Sequence, residues 1–131
     1  GFTLLEILIV IVIIGILASL AIPNFMKSTE TAKGKEAVVT LETIRTAEAM
    51  YYLDHNYYTS DQDVNFGFDE LVPNYLPEDP NRNSNRNWNY YFLNPPDSII
   101  TAERINGFYR SQLIDMDLDG NLVNGWPWPP R

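Results

Sequence analysis

The sequence predicts an α+β fold in which one long N-terminal α-helix packs on a small antiparallel β-sheet. Three observations carry this expectation. An apolar run occupies the first positions, an amphipathic helical pattern follows it without a turn, and short strand-like segments separated by Asn-Gly and Asp-Gly pairs make up the last third. At 131 residues the chain has the length of a single domain.

The helix comes first. Between Phe2 and Ile22 the only ionisable side chain is Glu6. At a rise of ~1.5 Å per residue this segment covers about 30 Å, the thickness of a bilayer's hydrocarbon core. It is apolar on every side, as a helix buried in lipid or inside an assembly must be. A cleavable secretory signal is not predicted, because the apolar stretch is long and Pro23 leads directly into a second helical pattern instead of a small-residue cleavage site.

Past Pro23, Ala37, Leu41, Ile44, Ala47 and Tyr51 recur at steps of three or four, while Lys35, Glu36, Glu42, Arg45 and Glu48 fall mostly on other faces. The pairs Lys27/Glu30, Glu30/Lys33 and Glu42/Arg45 each add ~0.2–0.5 kcal/mol of helix support. A rod from Phe2 to Leu53 would measure roughly 78 Å, at least twice the bilayer core. Its second half must therefore stand outside lipid, where its apolar stripe needs the C-terminal half of the chain as a partner.

Residues 54–87 are rich in Asn, Asp, Pro and Gly and read as a long irregular connection, with a short helix near Asp69–Val72 and with Tyr75 and Leu76 as anchors. Strands are expected at Trp88–Leu93, Ser98–Ala102, Phe108–Met116 and Asn121–Val123, with turns at Asn106-Gly107 and Asp119-Gly120-Asn121. The prolines of the tail from Gly125 to Pro130 lack the amide donor that a sheet interior requires. The expected organisation is thus residues 1–26 as the apolar half of the helix, 27–53 as its amphipathic half, 54–87 as a variable loop, and 88–131 as the sheet and tail.

Composition excludes several function classes. The net charge is −8, with most carboxylates after residue 53, so a nucleic-acid surface is not expected, and Arg82 and Arg86 are too few to line a cationic groove. There is no cysteine and hence no disulfide. The lone His55, at the end of the helical pattern, reads as a capping residue, and no nucleophile with a motif context accompanies it, so no enzyme is predicted. The tyrosines at 51, 52, 57, 58, 90 and 91 are read as core and lateral packing groups.

Two features call for a partner. A bare carboxylate such as Glu6 costs several kcal/mol in an apolar setting unless it is paired or protonated. Asp115, Asp117, Asp119 and Gly120 match the opening of an EF-hand loop, but the position of the bidentate Glu holds Trp126 and no helix follows. These aspartates are therefore either the outward face of a strand with Ile114, Met116 and Leu118 inward, or a calcium site of another kind. Gly15 and Pro23 bracket the weakest stretch of the helix.

The run Gly1-Phe2-Thr3-Leu4-Leu5-Glu6, the Ile/Leu/Val segment after it, and Ile22-Pro23 resemble the N-terminus of type IV pilins and type II secretion pseudopilins. The resemblance is close over residues 1–26 and architectural beyond. It implies cleavage by a prepilin peptidase between Gly1 and Phe2, N-methylation of Phe2, and pairing of Glu6 with the N-terminal amine of a neighbouring subunit. It also implies loss of helix between Gly15 and Pro23 on assembly, and calcium near the C-terminus as in major pseudopilins, here at Asp115, Asp117 and Asp119.

The function expected from this resemblance is a self-associating structural subunit that sits in the inner membrane as a monomer, is taken up by the pilus assembly machinery, and ends in an extracellular pilus-like filament. The alternatives are the major pseudopilin of a periplasmic pseudopilus and a non-polymerising single-pass anchor for a binding domain. The loop 54–87 and the Trp-Pro tail tilt the reading towards the pilus.

Overall fold

The computed structural model describes residues 1–59, 68–93 and 99–130. A single helix, α1 (Leu4–His55), runs for 52 residues and is followed by β1 (Trp88–Leu93), β2 (Ile99–Arg104), β3 (Leu113–Met116) and β4 (Leu122–Asn124). The strands form one antiparallel sheet in the order β1-β2-β3-β4. This is the expected α+β arrangement, and the helix lies mainly against β2 and β3.

Register explains where the core sits. Tyr90 pairs with Ala102 and Ala102 with Ile114, while Phe92 pairs with Ile100 and Ile100 with Met116, so these six share one face of the sheet. All six are buried, as are Ala37, Leu41, Ile44, Ala47 and Tyr51 of α1, and together they form one hydrophobic cluster. The period of two in the sheet thus meets the period of 3.6 in the helix, face to stripe. Phe68, Leu71 and Leu76 of the intervening loop, Trp88 of β1 and Trp128 of the tail complete the cluster.

Several boundaries differ from those expected. The helix begins at Leu4, with Thr3 as N-cap, and persists to His55. The C-cap is Asn56 in the left-handed conformation (φ 64°), its N–H donating to Tyr52 O, although His55 Nδ1 also approaches Tyr51 O at 3.1 Å. No α-helix forms at Asp69–Val72. Successive turns replace it, closed by Leu71 N–H to Phe68 O and Tyr75 N–H to Leu71 O. The third strand starts at Leu113, because residues 106–111 turn with Gly107 at φ 86° and Ser111 at φ 64°. The second strand runs on to Arg104, and Ser98 lies outside the described residues, as do residues 60–67 of the loop. The last strand is shifted by one residue, and a register irregularity sits at Asp115/Met116.

Glu48 departs from the charged face assigned to it. It is fully buried within the apolar stripe, and its carboxylate accepts from the Thr59 N–H at 3.0 Å and from the Thr59 hydroxyl. Buried carboxylates persist when donors replace water, which the turn beyond the helix supplies here.

Candidate functional site

The apolar half of α1 projects away from the sheet. Every large apolar side chain from Phe2 to Met26 is exposed, and among the described residues this is the one helix long and apolar enough to cross a membrane. So much contiguous apolar surface exceeds what a soluble monomer leaves in water. It is a surface for lipid or for another chain. Helical geometry continues through Gly15, where an added Cβ would meet nothing within 4 Å, and through Pro23. Directly after the proline, Asn24 Nδ2 donates to Leu20 O at 3.3 Å.

At the tip, Thr3 and Glu6 form a capping box. Thr3 N–H donates to Glu6 Oε2 at 2.7 Å, and Glu6 N–H donates to Thr3 Oγ1 at 3.2 Å. Two of the helix's orphan amides are thereby satisfied, and the carboxylate lies at the positive end of the helix dipole. The pattern Thr-x-x-Glu before an apolar run is the sequence signal for this role of Thr3. Glu6 thus has a partner within its own subunit, whereas pairing with a neighbouring amine requires a second copy of the chain.

Where the apolar half meets the folded half, Glu30 is the hub. Its Oε1 takes Arg104 Nη2 at 2.9 Å and Lys33 Nζ at 3.3 Å, and its Oε2 accepts from Trp128 Nε1 at 3.4 Å. Burial opposes ionisation of Glu30, but the hydrogen bond and charge of Arg104, followed by those of Lys33, outweigh it and hold the carboxyl below its ordinary range. Arg104 is almost fully buried, donates from Nη1 to Asn87 O at 2.9 Å, and lies 5.7 Å over the Trp88 ring. Trp88 Nε1 in turn donates to the Lys33 backbone carbonyl at 2.8 Å. Strand, tail and helix are tied at one point. Sequence spacing anticipates Lys33 as a partner of Glu30 but not Arg104 or Trp128, because those contacts span the whole fold.

At the far end of α1 the tyrosines cluster. Tyr51 stacks on His55 at 4.0 Å and meets Tyr57 and Tyr75 edge-on, while Tyr52 stacks on Tyr58 at 4.6 Å. The Tyr51 hydroxyl bonds Tyr57 and Glu70, and these contacts together with burial raise its pKa. His55 packs on Tyr51, and its Nδ1 lies 3.1 Å from the Tyr51 carbonyl in the last turn of the helix, next to the Asn56 cap.

The three aspartates are not brought together. Asp115 is not the outward carboxylate expected of a strand face: it is buried beside Thr101, itself buried, accepting from Thr101 Oγ1 at 2.8 Å and from Asn124 Nδ2 at 3.2 Å. Asp117 accepts from Asn121 N at 2.8 Å and from Asn121 Nδ2 at 2.9 Å, bonds that hold its pKa down and close the hairpin, with Gly120 at φ 91°. Asp119 is exposed, and no group of three metal-ligating side chains occurs among the described residues. Ile114 and Met116 point inward and Leu118 packs partly against the core.

Residues 1–22 match the family profile of the prokaryotic N-terminal methylation motif. The chain is 42% identical over 123 residues to type II secretion system core protein G of Aeromonas hydrophila, covering 92% of this chain and 83% of that protein. The chain belongs to the pilin and pseudopilin family. It is also 39% identical over 114 residues to the core protein G of Vibrio cholerae, covering 74% of this chain and 72% of that one. A type IV pilin is similar over a shorter stretch: the major pilin protein PilA of Myxococcus xanthus is 44% identical over 59 residues, 45% of this chain and 27% of PilA. No solved structure gives a significant match. As a member of this pilin and pseudopilin family the chain is a structural subunit and not an enzyme, and the family implies self-assembly into a filament and processing by prepilin peptidase. Similarity over most of the chain is to type II secretion core proteins, which fits the pseudopilin alternative better than the extracellular pilus.

Proposed function

We propose that this pilin-family chain is a major pseudopilin-type subunit, which polymerises through its apolar helix half into a periplasmic filament of a type II secretion system. The observation that carries this reading is the 42% identity over 92% of the chain with a type II secretion core protein. In this reading Phe2–Ile22 spans the inner membrane before assembly, and the same side chains cover one another in the filament afterwards. A prepilin peptidase cuts between Gly1 and Phe2, and Phe2 is methylated. Glu6 then exchanges its cap on the Thr3 amide for the amine of a neighbouring Phe2, so that a misplaced helix leaves both ions unpaired in an apolar setting. Flexibility at Gly15 and Pro23 accommodates the change of environment.

The experiment compares the host with and without the gene, assaying secretion in both and sheared surface material in the strain that keeps it. Loss of secretion with no surface filaments at native expression supports the pseudopilin. Long surface filaments of this protein with secretion intact would overturn it in favour of an extracellular pilus, the reading favoured by the PilA similarity. Mass spectrometry of the native chain should give methylated Phe2 as its first residue, and retention of Gly1 would sink the processing step.

A further inference from the structure

Just past the apolar segment, the helix, the β2–β3 turn and the tail enclose a cleft of about 890 Å³, lined by Pro23, Phe25 and Met26 on one side and by Gly107, Phe108 and Pro130 on the other. Phe108 is 95% exposed, the highest exposure of any large apolar side chain among the described residues. The turn does not need it. Positive φ falls on Gly107 (86°) and Ser111 (64°), so any residue would serve at 108. Nor is the turn loosely held: Tyr109 sits edge-on to Trp128 at 5.4 Å and edge-on to Phe108 at 5.2 Å, so the core props the exposed ring outward.

Depth and charge identify what this ring meets. Phe25 and Met26 follow Ile22 by three and four residues, or about 5–6 Å along the axis, which is the depth of the headgroup layer beside a hydrocarbon core. Phe108 lines the same cleft, which runs along the helix from Pro23 past Phe25 and Met26 to Lys33, so its exposed ring faces the membrane-proximal end of the folded half. All three lysines of the chain lie at 27, 33 and 35; Lys27, Lys33 and Arg104 line the cleft against one carboxylate, Glu30, which pairs with Arg104 and Lys33, and Arg110 is exposed on the same turn, so the cleft is cationic in a chain whose net charge is −8. Apolar rings ringed by cations suit the interface of an anionic bilayer. A parallel copy at the same level would present the same lysines and repel them.

We propose that the β2–β3 turn is a lipid-facing foot: Phe108, with Phe25 and Met26, seats the folded half of the unassembled subunit on the headgroup layer of an anionic membrane. The inference rests on the reading of Phe2–Ile22 as a membrane span. It adds a second, peripheral membrane contact, which orients the sheet relative to the bilayer and must be released when the subunit enters a filament.

The chain has no cysteine, so one introduced cysteine gives a unique label. Asn106→Cys, Ile11→Cys and Asp119→Cys, each carrying a nitroxide, are reconstituted as full-length chain in vesicles of phosphatidylethanolamine and phosphatidylglycerol. Accessibility to oxygen and to a water-soluble nickel complex is then read by electron paramagnetic resonance. The label at 11 should lie in hydrocarbon, that at 119 in water, and that at 106 at the interface. Adding Phe108→Ser, or replacing the phosphatidylglycerol with phosphatidylcholine, should raise nickel accessibility at 106 several-fold. A label at 106 as wet as that at 119, with 11 still in hydrocarbon, overturns the foot and leaves the span intact. The foot is likewise overturned if 106 is wet in the monomer and becomes shielded only in filaments, which would make the cleft a contact between copies. Water at position 11 removes the span and the foot with it.

Discussion

Trp128 occupies the space that a side chain at Gly34 would need: a Cβ there would lie 2.5 Å from its Cδ1 and 2.6 Å from its Cβ. The indole is buried and meets the Trp88 ring at 4.9 Å, so the Pro-rich tail is clasped against the helix by a ring on one side and an absent side chain on the other.

Gly34→Ala should therefore destabilise the fold, although alanine is the better helix former. Helix propensity would favour the change by ~1 kcal/mol. The overlap involves the root of the indole and not its flexible end, so the tail itself must move, a repacking that costs roughly 1–3 kcal/mol and exposes Trp128. Urea unfolding of the detergent-solubilised chain with tryptophan fluorescence should show a lower midpoint for Gly34→Ala, and an unchanged or higher midpoint would contradict the clasp.

The ion pair of Glu30 with Arg104 sets an acid limit. Because the folded pKa of Glu30 lies below the ordinary 4.5, the unfolded chain binds its proton more readily. The associated stability is present above that ordinary value and is lost as pH falls through the lowered folded value. Charge-assisted bonds of this kind contribute about 1.5–3 kcal/mol. Glu30→Gln should lower the urea midpoint at about pH 6, and the loss should shrink as pH falls through the lowered folded value, where the wild-type carboxylate takes up its own proton. A deficit independent of pH would assign the effect to shape and not to charge.

The two halves of the capping box separate the roles of Glu6. Thr3→Val removes the hydroxyl acceptor at a cost of ~1 kcal/mol to the helix end but keeps the carboxylate. Filaments should still form. Glu6→Ala keeps the helix in the membrane fraction and abolishes filaments, because no charge remains to select the axial position of a neighbour. Electron microscopy with membrane fractionation checks both, and normal filaments from Glu6→Ala would remove the registry role.

Asp117 gives the calcium question a direct measurement. Its two oxygens already accept from Asn121, so Asp117→Ala is expected to lower the melting temperature by the same amount with calcium as with a chelator. A calcium-dependent rise in the wild type that disappears in Asp117→Ala would instead place an ion at this turn.

Much of this protein is readable from local order. The apolar segment, the stripe of Ala37, Leu41, Ile44, Ala47 and Tyr51, and the turn glycines at 107 and 120 follow from periodicity and backbone preference, which neighbours in the chain set among themselves. The capping box is equally local, though visible only as Thr3-x-x-Glu6. Phe108–Ser111 reads as strand because an apolar aromatic pair has strand propensity, yet positive φ at Gly107 and Ser111 bends the chain there. Other features depend on residues far apart meeting. Glu48 is buried because Thr59 reaches back to it, Arg104 is buried because Glu30 and Trp88 receive it, and Gly34 matters because Trp128 comes from the other end of the chain. Such contacts carry no period and no motif. Their energies appear only once the sheet has closed on the helix and water has left the space between them.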